Sequence, residues 1–438
     1  MESVQRSSCD RINMAQRFSK IKEKGGKQYA HIYCARSETM KPRLLTRAKS
    51  LWGDDVTVTA LTNITKDVQC CIIGTLFKQM ELQPSILKEL GDDLNFKLTE
   101  EYSKYISEDD KLVLEDSLQR IPLIGKISPD ECYTGSVVAV LGKQMESGQF
   151  LVEEHTYAGL PPQIQELPQL SNDCYVLLVS GLAIGGKNEK SLQMQLLLDY
   201  ILGMIGESLD NNLSSEIVHM VVAGNSISGD TLDKESQSKA KYLTYKAEAS
   251  TVQAMEDLDY FLSQLVPYIS VDVMGGEFDL TNHILPQKPM HPCMFPLSKR
   301  YLGKTFSLTS NPYECSINGV HMLGSSGQNV NNMRLYSKVD DGIKLLSDTL
   351  NCQHIAPTAP DTLGCFPFHK KDPFIIDECP HVYFCANQDK FQSELHQGED
   401  GQKVLYLCVP DFHKTSSAVL LNLKTLTADE FCIDCDWS

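Results

Sequence analysis

Three short stretches carry residue types that could do chemistry: "VSGLAIGG" (179–186), "AGNSIS" (223–228) and "GGEFDL" (275–280). Each ends an apolar run with Gly and small polar groups, where an open α/β sheet presents ligands from its carboxyl edge. Phosphoester hydrolysis on two metals would need a carboxylate bridging the cations, with imidazoles and further carboxylates around them. The residues at these places are Gly181, Ala183, Asn225, Ser228, Glu277 and Phe278, and the later "CANQD" adds Asn387 and Asp389. Gly, Ala, Ser and Phe do not ligate such a pair, and the Asn225 amide brings no charge. Glu277, Asp279 and Asp389 remain, too few for a binuclear site. The expectation is therefore no metal, no cofactor and no catalytic residue, with Phe278, Leu182 and Ala183 packing a vacated cleft.

Other constellations are weaker. "GLAIGG" lacks the glycine spacing of a dinucleotide loop. Ser325 and Ser326 with His321 have no Gly-x-Ser-x-Gly elbow. His291 and Cys293 in "HPCMFP" are framed by prolines and read as a rigid loop. Cys432 and Cys435 form a Cys-x-x-Cys without the second pair that a structural zinc site needs. The fifteen cysteines lie mostly singly inside apolar runs, as packed, reduced thiols.

The elements that must hold the three strand ends follow from pattern and composition. Beyond a proline-rich linker, "PPQIQELPQLSND", apolar strands alternate with amphipathic segments such as "SLQMQLLLDYILGMI" and with one long helix or two over 239–268. Shorter β-like runs after about 280 predict a second sheet closing a sandwich. From 53 to 165 the period is two, and about five strands with a helical piece at "PSILKEL" suit a small Greek-key barrel of the OB type. Residues 28–52 read as helices broken or restarted at Pro42. Residues 1–27 are polar and basic and read as a flexible arm. The fold class is thus α+β and α/β, an OB-type barrel joined to a sandwich domain over 166–438.

Charge separates the partner classes. The chain carries a net −17, yet residues 1–50 carry +8 and the barrel region 52–165 carries −10. A body this acidic repels a phosphate backbone, so DNA is expected to be touched at most weakly, through the basic arm. No run reaches the roughly 18 to 20 apolar residues of a membrane span. The N-terminus has no apolar core, so the chain is expected inside the cell and away from membranes.

The strand-end spacing resembles that of calcineurin-like metallophosphoesterases, whose motifs are Asp-x-His, Gly-Asp-x-x-Asp, Gly-Asn-His-Asp and a late Gly-His-x-His. On them, Gly181 and Ala183 stand for Asp and His, and Asn225 and Ser228 for the two aspartates. Glu277 and Phe278 stand for Asn and His, and Asn387 and Asp389 for the two late histidines. An OB barrel with an inactive phosphoesterase domain is the arrangement of the B-subunits of replicative DNA polymerases. Long stretches, among them "QYAHIYCAR" (28–36), "LPQKPMHPCMFPL" (285–297) and "DPFIIDECPHVYFCAN" (372–387), resemble the small, second-subunit family of DNA polymerase delta over residues 28 to 425. The chain departs from that family at Gly275, where Pro is usual, at Ala386, where Gly is usual, and in its acidic C-terminus.

The resemblance implies a non-catalytic scaffold in the nucleus, acting in DNA replication and repair synthesis. Its implied partners are the cysteine-rich C-terminal domain of the polymerase delta catalytic subunit, a third subunit and, through that subunit, the sliding clamp. Sharing with the catalytic subunit of the translesion polymerase zeta is implied as well. The alternatives are a residual metal-dependent phosphodiesterase acting on DNA ends, and a single-strand-binding OB protein that the acidic barrel disfavours.

Overall fold

A computed structural model describes residues 6–19, 28–84, 102–205, 213–232 and 250–433. The chain divides into two compact units: 1–22, 163–328 and 380–438 form one, and 23–162 with 329–379 form the other. The sandwich domain expected over 166–438 is therefore interrupted, because 329–379 cluster with the barrel instead. "PSILKEL" beyond Pro84, the whole segment 239–249 and Cys435 lie outside the described residues.

In the barrel unit, β2 (Gln69–Gln79), β3 (Lys111–Glu115), β4 (Arg120–Gly125), β5 (Val137–Gln144) and β6 (Phe150–Thr156) close in the order β2-β3-β4-β6-β5. Alternation of side chains puts Ile72, Leu76, Leu112, Leu114, Ile121, Val138, Val140, Phe150 and Val152 inside, all buried. Closure needs a corner. At Gly142, beside a register shift in the β5–β6 pairing, a Cβ would lie 2.0 Å from the Leu151 carbonyl oxygen.

One helix, α2 (Ala30–Trp52), runs straight through Pro42 where a break was expected. The lost hydrogen bond is outweighed by one continuous buried face, Ile32, Arg36, Met40, Leu44 and Ala48. Met40, Leu44 and Ala48 pack on Cys71, Val137, Ala139 and Ile375. Arg36 is 1% exposed and fully used. Its Nε donates to Asp372 Oδ2 at 2.8 Å, and its other nitrogens donate to the carbonyls of Gly135, Pro357 and Ala359 at 2.7–2.9 Å. His354 Nε2 lies 2.8 Å from the same Asp372 oxygen. Burial alone would raise the Asp372 carboxyl, but His354 and Arg36 outweigh it and hold the group well below the usual carboxylate range.

The other unit is a sandwich of two six-stranded sheets. One orders β10 (Phe306–Thr309), β9 (Ser270–Met274), β8 (Ile217–Ala223), β7 (Tyr175–Val179), β16 (Ser417–Asn422) and β17 (Thr427–Cys432). The second orders β1 (Arg11–Asn13), β11 (Tyr313–Ile317), β12 (Val320–Ser325), β13 (Val382–Gln388), β15 (Lys403–Pro410) and β14 (Gln392–Gln397). Their facing side chains, among them Val176, Leu178, Val221, Met322, Phe384 and Leu407, make one core. A second core lies under α3 (Ser191–Ile201) and α4 (Ser250–Leu265).

Residues 6–19, expected as part of a flexible arm, are built into this unit. β1 pairs antiparallel with β11, and Phe18 in the short α1 (Gln16–Ser19) that follows is fully buried. The basic residues have fixed partners. Arg6 donates to the carbonyls of Ile217 and Ile201, Arg11 Nε to Asp272 Oδ2 at 2.8 Å, and Arg17 Nε to Glu314 Oε2 at 3.0 Å. Asp272 is fully buried and also accepts from Tyr313 Oη at 2.8 Å. Against burial, which would raise it, His219 and Arg11 hold its carboxyl below the ordinary value.

Candidate functional site

The strand ends singled out by the sequence do converge. A Cβ built on Gly181, after β7, would lie 2.3 Å from Asp411 Oδ1 and 3.1 Å from Asn387 Oδ1. One built on Gly224, after β8, would lie 2.7 Å from the Ser326 Cβ and 2.9 Å from the Gly276 Cα. Gly181, Ala183, Asn225 and Asn387 all hold left-handed backbone, with φ of 66°, 48°, 53° and 56°. Such turns cost energy for residues other than Gly and gather at functional sites; Asn tolerates them better than most. The sharp turns of a catalytic sheet edge are present.

The Asn387 amide nitrogen and the Asp279 carboxylate at these turns are committed to the protein's own backbone, while Asn387 Oδ1 is buried without a hydrogen-bond partner. Asn387 N–H donates to Ser180 Oγ at 2.9 Å, and its amide Nδ2 donates to the carbonyls of Ser326 and Ala223 at 2.8 and 3.3 Å. Asn387 thus ties the ends of β7, β8 and β12 together. Asp279, the remaining anion near the second turn, is buried and accepts from the N–H groups of Ile227 at 3.0 Å and Gly276 at 2.8 Å. Burial raises its carboxyl to about 6, partly offset by those N–H groups. Its stabilising contribution is therefore complete below the unfolded value of about 3.9 and lost as pH rises through about 6.

The other expected positions scatter. Ser228 is buried, its Oγ accepting from the Asp230 N–H at 3.2 Å. Glu277 is exposed. The Asp389 side chain is 78% exposed and pairs with Lys414 at 2.9 Å. Leu182 is buried as expected, but Phe278 is not a cleft plug: it is 36% exposed, its ring lying where a methyl on Gly229 would touch. Of the hydrolase candidates, His321 Nε2 faces Glu314 Oε1 at 3.4 Å, while Ser326 Oγ bonds Asn311 Nδ2 at 2.8 Å and Gln328. His291 Nδ1 accepts from the Cys293 N–H, a local turn. The described cysteines are free thiols.

Sequence reasoning missed Asp411. It caps the short helix Phe412–Thr415 through the His413 N–H at 3.1 Å while its second role is to crowd Gly181. The signal was an Asp directly after an apolar strand in "LYLCVPDF". Among the described residues no three His, Cys, Asp or Glu side chains converge where a metal ion could be held. A neutral amide spent on carbonyls and a carboxylate spent on N–H groups do not fit a binuclear centre, whose cations need anionic oxygens and imidazoles.

Two substitutions separate crowding from mere vacancy. Gly181→Asp would force a side chain into left-handed backbone against Asp411, and is expected to cost about 2 to 4 kcal/mol. Phe278→His, at a half-open surface position, is expected to stay within about 1 kcal/mol of the parent. Thermal melting of the full chain checks both; an undisturbed Gly181→Asp melt would show that the turn relaxes freely.

A closed OB-type barrel and a phosphoesterase-like sandwich with these committed strand ends define the B-subunit class of replicative DNA polymerases. The family model for the B-subunits of DNA polymerases alpha and epsilon matches residues 176–393, and that of the "DNA polymerase delta subunit OB-fold domain" matches residues 28–155. The DNA polymerase delta small subunit of Oryza sativa subsp. japonica is 39% identical over 97% of this chain and 97% of its own length. That of Arabidopsis thaliana is 39% identical over 96% and 95%. DNA polymerase delta subunit 2 of Drosophila melanogaster is 35% identical over 91% and 92%. The chain belongs to the DNA polymerase delta small subunit family, accessory subunits of replication.

Proposed function

We propose that this chain is a non-catalytic scaffold of the polymerase delta complex. It bridges the cysteine-rich C-terminal domain of the catalytic subunit to a third subunit that reaches the sliding clamp. The observation that carries the non-catalytic part is the commitment of Asn387 and Asp279 to backbone partners at the strand ends. With those groups occupied, a substrate phosphate would meet no bridging anion among them. The nuclear location, the part in repair synthesis and the sharing with the polymerase zeta catalytic subunit follow from the same reading. Described helices include none long and apolar enough to cross a membrane.

The test has two arms. The full chain, co-expressed with the catalytic subunit's cysteine-rich domain, should retain it through affinity purification in high salt, and failure to retain it overturns the bridging role. The purified chain should release no nitrophenolate from bis-p-nitrophenyl phosphate with manganese. Turnover that disappears in Asn387→Leu would overturn the non-catalytic reading.

A further inference from the structure

The barrel unit carries a cleft of about 530 Å³ that the strand-end site does not use. One wall is the outer face of α2 from Ala30 to Lys41; the other is formed by Leu76 and Phe77 of β2 and by the β3–β4 hairpin. Eleven helical steps make the α2 wall about 16 Å long, the reach of about five extended residues. The volume lies in the ordinary range for ligand sites.

Its lining is aromatic and acidic. Tyr33 and Phe77 supply rings, and Glu38, Glu115, Asp116 and Asp361 outnumber Lys41 and Arg120. Burial raises the carboxyls of Glu115 and Asp361, and the charge of Asp361 raises Glu115 further, so an additional cation would favour both anions. Arg120 already demonstrates the recognition. Its guanidinium lies 5.6 Å over the Phe77 ring centroid and 2.8 Å from Glu115 Oε1, on a side chain that is 69% exposed. That arrangement satisfies Glu115 alone. Asp361 accepts from Thr134 Oγ1 at 2.7 Å and from the Gln83 side chain but has no cation within ion-pair distance among the described residues, and exposed Glu38 lines the α2 wall of the same cleft.

We infer that this cleft binds an extended segment of a partner protein that inserts a lysine or arginine side chain between the Tyr33 and Phe77 walls towards Asp361. Cation–π contact and a half-buried carboxylate select the charge, and the apolar remainder of the walls accepts neighbouring aliphatic groups. That the occupant is a protein segment rests on the scaffold reading above; the preference for a cation rests on the lining itself.

The probe is a fluorescein-labelled pentapeptide amide, Leu-Ala-Arg-Ala-Leu, titrated into the full chain and followed by anisotropy. Saturable binding is expected, about tenfold weaker when the central residue is Glu, the loss of one good contact. The exposed variant Glu38→Lys should weaken it by a similar factor at an unchanged melting temperature, and Asp361→Asn should do the same. Alkylation of Cys34, an exposed thiol on the α2 wall, should slow when the peptide is saturating. Equal binding of the Arg and Glu peptides, indifference to Glu38→Lys, or an unprotected Cys34 would each overturn the inference. Binding of an oligothymidine in the peptide's place would overturn it too. Retention of the catalytic subunit's domain is read on the same proteins. If the parent retains that domain but binds no peptide, the cleft inference fails and the scaffold reading stands.

Discussion

Replacing Arg36 with methionine is expected to lower the melting temperature of the full chain by about 6 °C or more. Removing one partner of a buried ion pair typically costs about 3 to 5 kcal/mol. At this size of unit each kilocalorie is worth about 2 to 4 °C. Three further acceptors, the carbonyls of Gly135, Pro357 and Ala359, would lose their donor at the same time. The effect should depend on pH in a defined direction. Asp372 is held below the ordinary range, so its contribution is complete above the unfolded value near 3.9 and vanishes as pH falls through the folded one. The difference between parent and Arg36→Met should therefore shrink on acidification below about pH 4. A methionine variant that melts within a degree or two of the parent would show that Arg36 ties nothing together.

The second large effect is expected at the amino terminus. Deleting residues 1–19 removes Arg11 from buried Asp272, Arg17 from Glu314 and the buried ring of Phe18. The ion pair at Asp272 and the apolar burial together amount to a cost on the order of 5 kcal/mol. The truncated chain should be poorly soluble and should unfold at markedly lower urea. Arg11→Met alone should reproduce most of that loss, whereas Ile12→Ser, at a 56% exposed position on the same strand, should be near neutral. A truncated chain that unfolds like the parent would restore the tail reading of this segment.

That the segment read as a tail has a physical reason. Arg11 and Arg17 find their acids 261 and 297 residues further along the chain, and composition cannot see a partner at that distance. The same blindness hid Asp372 from Arg36, 336 residues apart, and let 329–379 pass as part of the sandwich. Strand patterning, by contrast, is local, and it marked the barrel strands, although β2 and β5 bury both faces where α2 covers Cys71, Val137 and Ala139. Pro42 misled because a rule for isolated helices was applied to one held by a buried face. At the strand ends the residue types were legible and their aim was not. Gly181 and Asn225 meet because β7 and β8 end side by side in a parallel pair, and Asn387 reaches them from β13 of the other sheet, but Phe278 and Asp389 leave the site within a residue or two of the turn.

The division of the chain also governs the order in which it can be completed on the ribosome. The polypeptide leaves each unit and returns to it, so neither corresponds to a continuous stretch of message. The barrel strands are all translated by residue 156, yet Asp372, the counter-ion for Arg36, emerges more than two hundred residues later. β7, translated early, waits for β16, which pairs with it from residues 417–422 near the other end. Both units therefore finish late in synthesis, the barrel unit by residue 379 and the sandwich only with β16 and β17, with open sheet edges and unpaired buried charges exposed until then. For such a nascent chain, helper proteins that shield apolar edges would matter during the last quarter of translation; a premature stop before residue 379 would leave two unfinished bodies, whereas one between there and β16 would leave the sandwich alone unfinished.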